Sequence, residues 1–320
     1  MKPTIHEVCT KLKEAARGED DIFILSFMTN KDWYCYRILN KGDGTQAKEI
    51  ELYQDLDNIL FTDTVNQVRT TILDYMKLHK FNEKKGDGEI VIAYCGRTKT
   101  MNMLAIHNGN LGPPLGGLRQ KDYSTYDSML TDTLRLSKGM TYKAAVARTG
   151  TGGGKSTRTV PEGIRKEANE SSARAFNFVN KQRKKRGVNV YYIAEDSNTT
   201  SRDFDEMDHI YPETTCKTLY FGGTGNPSPV TAIGVYEAAK VAANYAFPDK
   251  TLDNKTVLLS GVGQVGYELL KNFVFNGVKE VICAEMSKER IDWVKKQFVR
   301  MQLKDKIRFI LYTKEELTSQ

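Results

Sequence analysis

The chain has 320 residues, 40% of them apolar, a net charge of +7 and five cysteines. That length allows two domains with separate cores, and a mean hydropathy of −0.49 with no run of about eighteen apolar residues argues against a membrane span. Cys9, Cys35, Cys95, Cys216 and Cys283 are scattered and form no CxxC pair, which argues against a disulfide framework or a zinc site and for a reducing, cytoplasmic setting. The opening MKPTIHEVCTKLKEAARGEDD has no apolar core, so a secretory signal is not expected.

In chain order, residues 23–27 (FILSF) and 33–39 (WYCYRIL) read as strands, with Gly42-Asp-Gly44 as a turn. Residues 65–78 read as a helix with Val68, Ile72 and Met76 on one face. A lysine- and glycine-bearing hinge, Glu83-Lys-Lys-Gly-Asp-Gly88, ends this first part, residues 1–88. Strands are expected at 89–94 and 101–107 around Gly96-Arg-Thr-Lys99. Leu111-Gly-Pro-Pro-Leu-Gly-Gly-Leu-Arg119 is expected as a loop, because it holds two prolines and three glycines. Helices follow at 127–138, with Leu130 and Leu134 apolar, and at 171–182, with Ala175, Phe178 and Val179 inward. The densest basic run, Lys181-Gln-Arg-Lys-Lys-Arg186, precedes an apolar strand at 188–193. Without interleaved aromatic residues it reads as a solvated connection and not as a nucleic-acid groove.

Ser228-Pro229 carries the signature of a helix start, a serine cap followed by proline in the first turn. The helix it opens is apolar over most of its circumference and is expected to be buried. A boundary beside it separates residues 89–227 from 228–320. The rest alternates: strand 256–259, helix 263–275, strand 280–284, helix 287–301 and strand 307–312, which is one mononucleotide-binding half of a doubly wound α/β fold. Gly261-Val262-Gly263-Gln264-Val265-Gly266 follows the first of these strands and opens the helix, the context in which GxGxxG signifies a dinucleotide site. The first glycine allows the tight turn, the second a close approach of pyrophosphate, and the third close packing of helix and strand. Glu285 ends the second strand, where an acid binds ribose hydroxyls and repels a 2′-phosphate, favouring NAD over NADP.

Two lysines stand in glycine-rich surroundings, in Gly139-Met140-Thr-Tyr-Lys143 and in Gly152-Gly-Gly-Lys155. A glycine triplet implies either positive φ or something pressed against the backbone. By residue type alone, the lysines read equally as surface charges, and Asp196 as a turn or capping residue before Ser197-Asn-Thr-Thr200. Gly150 to Ser156 also resembles a phosphate-binding P-loop. It falls one residue short of that pattern, which leaves NTPase activity as a remote alternative.

These motifs, with Ala194-Glu-Asp196 and Gly225-Asn-Pro-Ser-Pro-Val-Thr231, resemble in order and wording the leucine, phenylalanine and valine dehydrogenases, relatives of glutamate dehydrogenase. The resemblance runs from about residue 89 to about residue 296. It implies an α/β chain: an N-terminal mixed-sheet domain for substrate binding and dimerisation, then a Rossmann-type parallel-sheet domain. It implies NAD-dependent oxidative deamination of an L-amino acid to a 2-oxo acid and ammonia, in a homo-oligomer without nucleic acid, membrane or metal. In that scheme Lys143 binds the substrate carboxylate, Lys155 is the general base, Asp196 relays protons to the amino group, and Thr231 joins the glycine fingerprint in holding cofactor. Leu115 stands where glutamate dehydrogenases carry a lysine for the side-chain carboxylate. With Ala194 small, Gly116 and Gly117 bare and Met140 as a wall, the pocket implied is apolar, for leucine, valine, phenylalanine or tryptophan. His107 reads as a turn-capping residue beside Asn108-Gly109. Residues 1–88 remain an extension of unknown role. The resemblance further implies a second nucleotide-binding half after Tyr312, so the Rossmann domain reads as incomplete. The chain is then part of a working enzyme, one completed by a partner, or a catalytically silent member acting by binding or assembly.

Overall fold

The computed structural model describes residues 4–16, 21–30, 33–39, 48–51, 59–84, 87–301 and 304–312. The chain divides into two units, Met1–Gly225 and Asn226–Gln320. In the first, the elements are α1 (Ile5–Ala15), β1 (Ile22–Met28), β2 (Trp33–Leu39), β3 (Lys48–Glu51), α2 (Ile59–Leu78), β4 (Glu89–Cys95), β5 (Thr100–Asn108), β6 (Pro114–Gln120), α3 (Tyr126–Ala147), β7 (Gly152–Thr159), α4 (Arg165–Lys185), β8 (Tyr192–Glu195) and α5 (Ser201–Asp208). The Gly42-Asp-Gly44 turn lies outside the described residues.

Among the described residues, eight strands form one mixed sheet in the order β3-β2-β1-β4-β5-β7-β6-β8. Pairing is antiparallel from β3 to β7 and parallel where β6 meets β7 and β8. β1 and β4 are buried at every position, which explains their near-continuous apolar runs: helices cover both faces. Val8, Leu12, Val68, Ile72 and Met76 from α1 and α2 share one core with Met129, Leu130 and Leu134 of α3 and with Leu25, Met103 and Ala105 of the sheet. Phe176, Phe178 and Val179 of α4 and Phe204 of α5 pack on the opposite face, against Ile24, Leu104, Leu118 and Ile193. Residues before 89 therefore extend both the sheet and the core of the residues after it.

The basic run is only partly a solvated connection: Lys181, Lys184 and Lys185 are exposed, but Gln182 and Arg183 are not. It closes α4, and the Arg183 side chain is fully buried. Arg183 Nη1 donates to Glu89 Oε2 and Nη2 to Asp87 Oδ1, each at 2.7 Å, while Nε donates to the Asn189 carbonyl. Arg186 reaches the same Glu89 oxygen at 2.5 Å; Ser26 and Tyr34 hydroxyls donate to Oε1 at 2.6 and 2.9 Å. Burial works against the Glu89 charge, but Arg186 and Arg183 outweigh it and hold the carboxyl below its ordinary range. This knot joins β1, β2, β4 and α4. It also involves the expected hinge, where Asp87 is buried and a Cβ on Gly88 would lie 2.7 Å from Thr29.

Three expectations change here. The proline- and glycine-rich 111–119 segment is largely strand, because its backbone bonds between β7 and β8 outweigh the low strand propensity of those residues. The Gly152–Lys155 segment is also strand, and no helix begins after Lys155 until Arg165, so the P-loop alternative is excluded. The helix expected at 127–138 continues through Gly139 to Ala147 and so includes Lys143.

In the second unit, α6 (Ser228–Ala246), β9 (Thr256–Ser260), α7 (Gln264–Phe275), β10 (Glu280–Glu285), α8 (Lys288–Arg300) and β11 (Ile307–Leu311) follow the expected alternation. The strands are parallel in the order β11-β10-β9. Leu270, Phe273, Val281, Val294 and Phe298 form its core. Two readings of α6 are corrected. Asn226 Oδ1, not Ser228, accepts from the first-turn amide of Ser228. Only Ser228, Ala232 and Ala243 of α6 are buried, and Val230, Ile233, Val241 and Tyr245 are exposed. Its alanines and glycine raise the apolar count while offering little surface to pack.

Replacing Arg183 with Met should cost about 3–5 kcal/mol, because it deprives buried Asp87 of its guanidinium partner and leaves Glu89 with Arg186 as its one cation. Urea unfolding of the first unit measures it. A loss under about 1 kcal/mol, the scale of an exposed pair, would show the knot to be solvated.

Candidate active site

The site spans the parallel part of the sheet, with Lys155 in the middle of β7, Gly117 in the middle of β6 and Asp196 just beyond the carboxyl end of β8. Alternation along a strand sends every second side chain to one face. On β7, Lys155 pairs with Ala105 of β5 and shares its face, the face that α3 covers. On β6, Gly117 pairs with Ala194 of β8, so Leu115, Gly117 and Arg119 share a face with Ala194. Asp196 follows directly after β8.

Lys155 is only 5% exposed, and its Nζ meets Asp196 Oδ2 at 2.7 Å. Burial lowers the Lys155 pKa below its ordinary value. The Asp196 charge opposes that fall, and the nearby Arg119 guanidinium adds to it. Burial disfavours the Asp196 charge too, yet Lys155 and then Arg119 hold its carboxyl below the ordinary value. The Asp196 amide donates to Thr199 Oγ1 at 2.9 Å, and that hydroxyl donates to the Leu118 carbonyl at 3.0 Å. The turn after β8 is thereby tied to β6.

The glycines make this contact sterically possible. A Cβ on Gly117 would stand 2.7 Å from Asp196 Cβ and 3.1 Å from Lys155 Nζ. A Cβ on Gly153 would strike Thr141 of α3, and one on Gly154 would lie 2.6 Å from the Tyr191 ring. The triplet thus reflects close approach and not positive φ, which among its neighbours belongs to Gly150. Gly116 faces the opposite layer: its Cβ would strike the Gly154 carbonyl, and its own carbonyl accepts from Tyr191 OH at 2.8 Å.

Leu115, Ala194 and Met140 are each half-buried. Lys143 is exposed on the last turns of α3 and takes no part in the ion pairs of Lys155. His107 does not cap a turn. It is buried in β5, with Nδ1 2.9 Å from Thr141 Oγ1 and Nε2 2.9 Å from the His79 carbonyl. Burial pushes its pKa down. It joins α2, β5 and α3 behind the glycine triplet. Arg119, Asp132, Tyr123, Thr141 and Tyr191 were not singled out from the sequence. The period-two spacing of Arg119 from Gly117 is the signal that could have found the first of them.

In the second unit the glycine fingerprint forms a cradle. Gly261 has φ +84°, a conformation for glycine. A Cβ on Gly266 would strike the Gly261 carbonyl, so helix and strand pack as the pattern demands. Gly263 has an ordinary φ of −62° and open space where a Cβ would be; no internal contact requires glycine there. Val262 is buried and Val265 half-buried. Gln264 Oε1 accepts from Asn226 Nδ2 at 2.8 Å and Ser228 Oγ at 3.3 Å, joining the starts of α7 and α6. Thr231 is exposed one turn into α6 and donates to the Pro227 carbonyl. Glu285 accepts from the amides of Val262 at 2.9 Å, Met286 at 2.8 Å and Ser287 at 3.1 Å. Burial opposes the Glu285 charge, but these amides outweigh it and hold the carboxyl below its ordinary range.

A mixed sheet with a buried lysine–carboxylate pair, followed by a parallel sheet with a glycine cradle, defines a class of two-unit α/β proteins. Residues 91–214 match the dimerisation domain of Glu/Leu/Phe/Val dehydrogenases. Leucine dehydrogenase from Thermoactinomyces intermedius is 40% identical over 228 residues, which are 70% of this chain and 59% of that one. Leucine dehydrogenase from Bacillus subtilis is 39% identical over 68% of this chain and 57% of its own length. The hetero-hexameric glutamate dehydrogenase of Thermus thermophilus, in a leucine-bound crystal form, superimposes with a TM-score of 0.50 at 18% identity, over 76% of this chain and 64% of that one. At that identity the likeness shows the fold alone. The chain belongs to the Glu/Leu/Phe/Val dehydrogenase family, and it spans less than two thirds of the length of the leucine dehydrogenases it matches.

Gly117→Ala should lower stability by about 1–3 kcal/mol through overpacking and push Lys155 away from Asp196. Thermal unfolding and a crystal structure of the variant test this. An unchanged 2.7 Å contact with an unchanged melting temperature would refute the steric account.

Proposed function

We propose that this chain carries out the NAD-dependent oxidative deamination of an apolar L-amino acid, giving the 2-oxo acid and ammonia. The observation that carries the proposal is the buried Lys155–Asp196 pair at 2.7 Å, beside the bare face of Gly117 and the uncharged Leu115 and Ala194. A buried lysine whose pKa is lowered is better suited to act as a base than an exposed one. An ionised carboxylate touching it can pass protons to and from an amino group.

In the proposed reaction, Lys143 binds the substrate carboxylate as an exposed point charge reached from α3. Leu115, Ala194 and Met140 receive the apolar side chain; none can pair with a side-chain carboxylate. NAD would be held at the Gly261–Gly266 turn and would supply the acceptor for the α-hydrogen and its electron pair. Asp196 accepts a proton from the substrate ammonium as the α-carbon becomes an imine. Lys155, neutral, removes a proton from the water that adds to the imino carbon; Asp196 returns its proton to the nitrogen of the resulting carbinolamine, and as the carbinol oxygen releases its proton to solvent the carbonyl forms and ammonia leaves. The residues present fit the cofactor: Gly263 keeps its backbone bare at the start of α7, where a helix N-terminus favours a pyrophosphate. Glu285 sets a negative charge beside that turn, against a 2′-phosphate. Matching a dimerisation domain supports assembly with further copies of the chain.

Leucine, valine, phenylalanine, tryptophan and glutamate offered with NAD should give NADH absorbance at 340 nm for an apolar substrate and little for glutamate. Lys155→Ala should abolish it. Because Lys155 must be neutral, the rate should rise with pH through a midpoint below the ordinary lysine value. Silence with every substrate, or an undiminished Lys155→Ala signal, would overturn the reading. Glu285→Ala should improve use of NADP relative to NAD by about tenfold, the equivalent of about 1.4 kcal/mol. An unaltered preference would remove Glu285 from cofactor choice.

A further inference from the structure

Arg119 has no part in the reaction as set out above, yet its contacts converge on the catalytic pair. Its Nε donates to Asp196 Oδ2 at 3.1 Å, the same oxygen that Lys155 Nζ meets at 2.7 Å. Its Nη1 forks over both oxygens of Asp132 on α3, at 3.0 and 3.2 Å. Tyr123 OH donates to Asp132 Oδ2 at 2.8 Å and fixes the far end of the bridge. One guanidinium therefore spans β6, α3 and the turn after β8, with each contact charge-assisted.

We propose that Arg119 is a positioning residue for the Lys155–Asp196 pair, clamping the carboxylate through one oxygen and sharing its charge so that Lys155 can release a proton. The proposal rests on the assignment of Lys155 as base and Asp196 as relay. Two cations therefore hold the one oxygen, Oδ2. The rigid fork matters as much as the charge: a lysine at 119 has no second donor group with which to hold Asp132 and Asp196 together.

The charges that face Lys155 act with definite signs. Burial disfavours its ammonium most. Asp196, after β8, favours it; Arg119, on β6, disfavours it; Asp132, on α3, favours it. Tyr123, which burial and Asp132 keep protonated, acts only as a donor. Removing the Arg119 charge must therefore raise the pH at which Lys155 becomes neutral, and removing the Asp132 charge must lower it.

The test measures Lys155 directly, independent of turnover. Trace acetic anhydride labels neutral amines, and mass spectrometry of the Lys155 peptide across pH gives its titration midpoint. In folded Arg119→Gln the midpoint should rise by about one pH unit, equivalent to about 1.4 kcal/mol, and the acid limb of kcat should shift with it. Arg119→Lys should restore the midpoint but not the full kcat. Asp132→Asn should move the midpoint downward while still lowering kcat, which guards against a misfolded Arg119 variant. A midpoint unmoved in both Arg119→Gln and Asp132→Asn would overturn the proposal, as would full kcat in Arg119→Lys. If wild-type protein shows no NADH formation while the midpoint moves as stated, the dehydrogenase reading fails and the placement of Arg119 stands.

Discussion

A lysine ammonium enters a protein interior only with a partner of opposite charge, and much of the first unit can be understood from that constraint on Lys155. Its partner comes from another strand, because the β7 residues that share its face, Gly153 and Thr157, carry no charge. Asp196 comes from the end of β8, two strands away, and the intervening strand β6 must present no side chain in between. Gly117 meets that requirement. α3 must then close over β7, and it does so by pressing Thr141 onto Gly153. Each glycine of the site answers to a particular neighbour, which is why glycine-rich sequence yields strand and not loop.

The change in sheet direction serves the same end. Antiparallel pairing from β3 to β7 builds a broad support, and the parallel β7-β6-β8 part brings strand ends and their following turns together. The elements described before residue 89 belong to that support. Their strands widen the sheet, their helices thicken the layer containing α3, and His107 connects the end of α2 to Thr141. The Arg183–Glu89 knot secures the same strands from the opposite layer. A segment that looked appended is thus continuous with the core behind the Lys155–Asp196 pair.

In the second unit the glycines differ in what they answer to. Gly261 and Gly266 are demanded by backbone conformation and by packing, so they would be needed in any domain of this shape. Gly263 is demanded by neither, and its open backbone is the stronger indication of a ligand. Glu285 is already engaged by three amides, so its charge is fixed in place at the turn.

Periodicity and punctuation made much of the fold legible. The alternation of 256–312, the apolar faces of α2 and α4, and the strands at 23–27, 33–39, 89–94 and 101–107 could all be read from side-chain pattern. So could the residues carrying the family wording, Lys155 and Asp196 among them. Segment 111–119 could not, because Pro and Gly score as breakers when the strands that bury them are unknown. The basic run misled because the partners of Arg183 lie ninety-four and ninety-six residues away in sequence. α6 misled because small residues count as apolar without supplying much contact. The sequence by itself determined which groups could do chemistry and in which order the elements come. Only the tertiary structure decided that Lys155 meets Asp196 and that the cation beside the pair is Arg119 and not Lys143. Burial and charge proximity arise between strands distant in the chain, and no local pattern encodes them.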